Sequence, residues 1–143
     1  IVAWGIVQTE SLPTIEADPI QMWQLLQNLI SNAIKFKKKE KAPKVELAAK
    51  QCEKGFWDIF VKDNGIGFDS QHVDSIFQPY FRLNGWNQYE GSGIGRAICK
   101  KIVDRHHGKI KAISSQNEGS IFQMTLPIKQ VSWFSLFLSA DFI

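Results

Sequence analysis

The chain has too few cysteines, too little net charge and too short an apolar run for several classes of protein. Its two cysteines, Cys52 and Cys99, form no CxxC pair, so nothing suggests a zinc site. A reduced, cytoplasmic setting is the default for such a chain, with a single disulfide left open. A formal net charge of +3, without one long basic block, gives no argument for nucleic acid as a partner. No apolar run reaches the roughly 18 residues needed to cross a bilayer. The chain opens on Ile1-Val2-Ala3-Trp4, with neither an initiating Met nor a signal-peptide pattern. It is therefore expected to be a piece of a longer protein, and membrane anchoring of that parent is left open.

What is present fits one folded domain. The 143 residues are 44% hydrophobic and 22% charged, ordinary values for a globular chain that buries a core. Asp18-Pro19-Ile20-Gln21 predicts a helix start, with Asp18 as N-cap, Pro19 as first helical residue and Gln21 closing a capping box. Leu25, Leu26, Leu29, Ile30, Ala33 and Ile34 follow at the spacing of one buried face, and the Lys37–Lys41 run with Pro43 ends the helix. Alternation at Val45, Leu47 and Ala49, a turn at 53–55 and an apolar run over 56–62 predict a hairpin. Residues 64–92 are rich in glycine and poor in periodicity, the mark of a long functional or disordered loop.

Ile94, Ala97, Ile98 and Ile102 mark a second helix, ended by Gly108 as a left-handed cap. His106 and His107 close that helix where cations suit the dipole. Two further strands are expected near 109–114 and 121–128, with Pro127 putting the end of the last at an edge. Helices and hairpins in this order favour an α+β fold. It would be a two-layer α/β sandwich, with a mixed, mostly antiparallel sheet and helices on one face.

Three polar segments stand out. Asn28, Asn32 and Lys35 share one stripe of the first helix. A carboxamide oxygen is a suitable hard ligand for Mg²⁺, and Lys35 offers a cation for phosphate, although the stripe is equally a solvated polar face. Asp63 continues the core-facing series Trp57, Ile59, Val61, where a carboxylate is costly unless hydrogen-bonded. An adenine amino group would be a fitting donor, and Gly65 and Gly67 would let the backbone approach a flat base. Asp63-Asn64-Gly65 is also an ordinary turn signal. Gly91-Ser92-Gly93-Ile94-Gly95 runs straight into a helix, as phosphate-binding loops do, but no parallel βαβ unit precedes it and no Gly-Lys-Ser/Thr follows.

Taken together and in this order, the segments resemble the ATP-binding domain of sensor histidine kinases, within the gyrase, chaperone, histidine-kinase and mismatch-repair (GHKL) ATPase superfamily. Leu25 to Phe36 resembles its N box, Asp63 to Gly67 its G1 box, and Ile76 to Arg82 its F box. Gly91 to Gly95 resembles the G2 box, and Gly119-Ser120 with Phe122 and Leu126-Pro127 the closing G3 region; the likeness runs from Leu12 to Ile128. It implies a Bergerat-type sandwich over 1–130 that binds ATP and Mg²⁺, with 131–143 as an apolar tail of unknown role. By the same resemblance Asn32 ligates Mg²⁺, Asn28 supports the metal–phosphate end, Lys35 contacts phosphate and Phe36 lies against the nucleotide. Asp63 holds the adenine amino group. Arg82 and the amides of Gly91, Ser92, Gly93, Ile94 and Gly95 meet the triphosphate. Residues 82–92 form a mobile lid with Phe77 and Phe81 at its base.

The hydrolases of the superfamily resemble one another in a water-activating Glu four residues before the metal Asn. Here that position is Asn28, which cannot act as a general base, so transfer to a protein side chain is favoured over hydrolysis. Arg96 replaces a common aliphatic residue, and is expected as an exposed first-turn residue with a phosphate contact as the other reading. None of His72, His106 and His107 has the phosphoacceptor's local sequence. The resemblance thus implies an upstream dimerisation domain carrying the acceptor His, a response regulator receiver domain as partner, and a homodimeric parent. An anti-sigma-type serine kinase and a non-catalytic nucleotide-binding module are the alternatives.

Overall fold

The computed structural model describes residues 5–79, 81 and 93–130. Five strands form one sheet: β1 (Ile6–Thr9), β2 (Lys44–Glu53), β3 (Phe56–Asp63), β4 (Lys109–Ser115) and β5 (Gly119–Pro127). Their order is β1-β2-β3-β5-β4; β1 runs parallel to β2 and every other pair is antiparallel. Two helices, α1 (Pro19–Lys35) and α2 (Gly95–Arg105), pack on each other, α1 against β2 and β3 and α2 against β4. The core between the layers holds Leu25, Leu29, Val45, Val61, Val103, Met124 and Leu126, all nearly inaccessible. Each such side chain contributes about 1.5–3 kcal/mol by leaving water.

The hairpin, both helices and the last two strands stand where periodicity predicts them. β1 is not legible in the sequence. It is four residues long and exposed throughout, so no alternation betrays it. Between β3 and α2, the short 3-10 turns Ser70–His72 and Ser75–Phe77 carry Ile76, and Phe68 precedes them; both apolar side chains are buried. Ile34, expected inside, is 41% exposed, because α1's buried stripe is Leu25, Leu29 and Ala33.

Three end-of-element expectations are corrected. Asp18 caps α1 through its carboxylate, which accepts from the Ile20 and Gln21 N–H groups. Gln21 does not close the capping box: the Asp18 N–H donates instead to His106 Nε2 at 3.0 Å, and Gln21 Oε1 is left without a partner. His106 is therefore not solvated at the end of α2. It is 5% exposed, its Nδ1 faces the Ile102 carbonyl at 2.8 Å, and it pins the end of α2 to the start of α1. Gly108 is not the left-handed residue; His107 is, at φ 60°. The His107 and Gly108 N–H groups donate to the Asp104 and Val103 carbonyls, a Schellman closure. Gly108 is required for another reason, since a Cβ there would lie 2.4 Å from the Thr125 carbonyl oxygen. β5 is an interior strand between β3 and β4, but its pairing with β4 stops at Thr125, so Pro127 at its end stands at an edge as expected.

Candidate functional site

The site lies where the ends of β3 and α1 meet the start of α2. In the register of the sheet Asp63 sits between Val45 on β2 and Ser120 on β5, one step beyond the pair Leu47–Val61. The carboxylate thus ends a buried apolar stripe. Its Oδ1 accepts from the Gly65 N–H at 2.8 Å and the Ser120 N–H at 3.3 Å; Oδ2 accepts from no described residue. Burial pushes the Asp63 carboxyl above its ordinary range, and these two N–H donors only partly oppose that.

The glycines after Asp63 serve the protein's own backbone. A Cβ on Gly65 would lie 2.5 Å from the Phe36 carbonyl oxygen. Gly67 has φ +63°, and a Cβ there would lie 2.1 Å from the Ser115 carbonyl oxygen. Close approach of a planar base is thus not what first requires these two glycines. The Ile66 N–H donates to the Phe36 carbonyl at 2.9 Å and the Asn117 N–H to that of Ile66 at 2.7 Å, which sews the turn between α1 and β4–β5.

A small cavity of about 30 Å³ opens beside Asp63, lined by Asn32, Phe36, Gly67, Arg96, Phe122 and their neighbours. A larger trough of about 740 Å³ involves none of these residues; Gln8, Glu46, Phe60 and Lys62 line it at the β1 side of the sheet. Asn28 and Asn32 are half-buried between the helices, and a Cβ built on Gly95 would stand 3.8 Å from Asn32 Nδ2 and 3.9 Å from Asn28 Oδ1. Asn28 Nδ2 is buried with no hydrogen-bond partner, an expensive state for a carboxamide unless a ligand changes it. Lys35 Nζ stands 5.1 Å from the centre of the Phe36 ring.

Among the described residues, no side chain caps the start of α2. Ile94 is its N-cap and offers no capping side chain, no acidic residue occupies the first turn, and Gly93 has φ 78°. First-turn N–H groups without such partners, at the positive end of a helix, suit phosphate oxygens.

Arg96 overturns its expected place on the surface. It is 7% exposed, with Nε–H donating to the Ile76 carbonyl at 3.1 Å and an Nη2–H to the Phe81 carbonyl at 3.4 Å. The guanidinium carbon lies 5.8 Å from the Phe36 ring centre. Burial lowers its pKa. Spacing alone could not reveal this, because an Arg at the second position of a helix is ordinarily solvated. Cys99, behind it, is fully buried, and its thiol is pushed up to about 12 by that burial.

Asn28, Asn32, Lys35, Phe36, Asp63, Gly67, Gly95 and Arg96 are thus brought together. Phe77 stands one layer back, edge-on to Phe122 at 6.2 Å, and does not line the cavity. Phe81 is half-buried, with its ring 5.7 Å from His72. Arg82, Gly91 and Ser92, with the rest of the expected lid at 82–92 and the tail at 131–143, lie outside the described residues. Among the described residues no group of three or more His, Cys, Asp or Glu could hold a metal ion.

Residues 17–130 match the family of histidine kinase-, DNA gyrase B- and HSP90-like ATPases. Over 119 residues the chain is 45% identical to cyanobacterial phytochrome A of Nostoc, an overlap of 83% of this chain and 15% of that protein. It is 40% identical over 124 residues to the sensor protein kinase WalK of Staphylococcus saprophyticus, covering 85% of this chain and 20% of the relative. The chain spans only about 15% of the length of the first of these relatives. Among solved structures, the catalytic domain of the histidine kinase ThkA superposes with a TM-score of 0.69 at 28% identity, covering 87% of this chain and 78% of that one. Full-length ShkA in complex with AMPPNP gives 0.74 at 25% identity, over 90% of this chain and 26% of that one.

Proposed function

The chain belongs to the histidine kinase-, DNA gyrase B- and HSP90-like ATPase family, and from that premise we propose that it is the ATP-binding catalytic domain of a sensor histidine kinase. The carrying observation is the half-buried Asp63 carboxylate, with one oxygen fixed by backbone donors and the other without a described partner, at the wall of a cavity next to a helix start that no described side chain caps. A free carboxylate oxygen selects an amino group such as that of adenine, and the helix start selects phosphate.

In this reading residues 1–130 form the nucleotide-binding unit and 131–143 a tail of separate role. Asp63 binds and orients the base, Phe36 and Gly67 line the pocket, and Gly93, Ile94 and Gly95 face the phosphates at the start of α2. Lys35 supplies a cation, and Arg82, Gly91 and Ser92 are assigned to the triphosphate. The donors fit Mg²⁺ that arrives with the nucleotide. Asn32, supported by Asn28, would offer a neutral oxygen ligand, which suits an ion that takes few protein ligands, while the unpaired buried Nδ2 of Asn28 is a donor that suits a phosphate oxygen rather than the ion. When bound, Mg²⁺ supplies charge neutralisation on the phosphates.

With Asn28 in place of a carboxylate and Asp63 assigned to the base, no described side chain at the phosphate end is set to deprotonate water. The γ-phosphoryl group therefore passes to an imidazole nitrogen: a P–N bond forms as the bond to ADP breaks. The accepting His belongs to a dimerisation domain of the parent homodimer, and the phosphoryl group moves on to an Asp of a response regulator in the cytoplasm. Among the described residues no helix is long and apolar enough to cross a membrane.

Incubation with γ-labelled ATP tests the subclass. The 143-residue chain should release phosphate slowly and carry none itself, while the full-length protein should acquire an acid-labile phosphate. Rapid hydrolysis by the chain alone would contradict the assignment.

A further inference from the structure

A buried arginine and a half-buried carboxyl share this cavity, and they form no ion pair with each other. Asp63 and Arg96 both line it, yet the ion pairs among the described residues are Lys44–Glu46 and Lys100–Asp104 only. Arg96 keeps its cation out of water with two carbonyl oxygens and the Phe36 ring as partners. Carbonyls and an aromatic face orient a guanidinium but carry no net negative charge. Its neighbour Cys99, pushed up to about 12, is a neutral thiol at physiological pH. Arg96 also sits in the first turn of α2, where the helix field disfavours a cation. Such an arrangement is costly until an anion arrives.

Resting on the nucleotide reading above, we infer that Arg96 is a phosphate-directed residue of the pocket, completed electrostatically by the phosphate of a bound adenine nucleotide. Asp63 and Arg96 are then assigned to different groups of one ligand: the carboxylate takes the amino group of the base and the guanidinium a phosphate oxygen. Nε and one Nη2 donor hold the Ile76 and Phe81 carbonyls, and the fork's remaining N–H groups, which have no described partner, are those assigned to phosphate oxygens. An aliphatic residue at 96 could line the same wall but could not tell a nucleotide from its nucleoside.

The test is calorimetric titration of the 143-residue chain with adenosine, AMP and ADP, for wild type, Arg96→Leu and Arg96→Lys, with folding of each variant checked by circular dichroism. Arg96→Leu is expected to weaken AMP and ADP about tenfold, the scale of one charge-assisted hydrogen bond, with adenosine affinity changed less than about twofold. Its ADP affinity should also depend less on salt. Arg96→Lys keeps the charge and should retain most of the nucleotide-over-nucleoside preference. Equal loss of adenosine and ADP, no change in either, or a Lys variant indistinguishable from Leu would overturn the inference while leaving the ATP pocket standing. A wild type that binds ADP no better than adenosine would overturn it as well, and a wild type that binds none of the three would fell the ATP reading itself.

Discussion

Replacing Asp63 with Asn should make the fold more stable and the ligand weaker, in opposite directions from one atom change. Oδ1 already serves the Gly65 and Ser120 N–H groups, and an Asn oxygen can keep both. Asp63→Ala would remove the acceptor for both N–H donors, so Asn is the cleaner probe. The change removes a carboxylate whose burial raises its pKa above the ordinary 3.8. The sign follows from proton binding. Through the window from 3.8 up to the raised value, the native state holds more protons than the unfolded chain, so wild-type stability falls as pH rises. The Asn variant lacks that slope and should be the more stable protein at pH 7. Binding moves the other way. The new amide group points N–H donors at an adenine amino group, and a charge-assisted hydrogen bond of about 2 kcal/mol is lost, or about 30-fold in affinity. Urea unfolding at several pH values and ATP titration of the same samples read both effects. A variant that is less stable at pH 7 and binds ATP unchanged would refute the reasoning.

Other perturbations reach other parts of the molecule. Leu29→Ala, deep under β2 and β3, should cost about 2–5 kcal/mol in urea unfolding. His106→Leu removes the acceptor for the Asp18 N–H and the partner of the Ile102 carbonyl, and should cost about 1–3 kcal/mol by the same assay. Gly67→Ala should abolish soluble folded protein, visible by circular dichroism, because its φ of +63° and a Cβ 2.1 Å from the Ser115 carbonyl oxygen leave no room for relaxation. Asn32→Ala should abolish most of the gain in ATP affinity that Mg²⁺ brings while leaving adenosine binding intact; an unchanged Mg²⁺ dependence would remove Asn32 from the metal.

The parts legible in the sequence were those with strong periodicity. Leu25, Leu29 and Ala33 mark α1, and Val45, Leu47 and Val61 mark the hairpin, because a single buried face leaves a period of 3.6 or 2. Asp63 was legible for the same reason: it keeps phase with Val61. What escaped depends on partners distant in sequence. His106 meets Asp18, and Gly67 meets Ser115 and Gly119, across separations that no local pattern records. β1 escaped because an exposed edge strand of four residues has no buried face to show. Arg96 was misplaced because its carbonyl partners, Ile76 and Phe81, lie on a loop without periodicity. Gln21 failed as a capping-box residue for a competitive reason, since the His106 ring already occupies the Asp18 N–H.

The central claim is an adenine pocket built on Asp63, and calorimetric titration of the 143-residue chain with ATP and with GTP in the presence of Mg²⁺ tests it most directly. ATP should bind with one site per chain and GTP should not, because the oxygen on the guanine ring would face the carboxylate where adenine presents an amino donor. Equal binding of the two nucleotides, or no binding of ATP, would contradict the account.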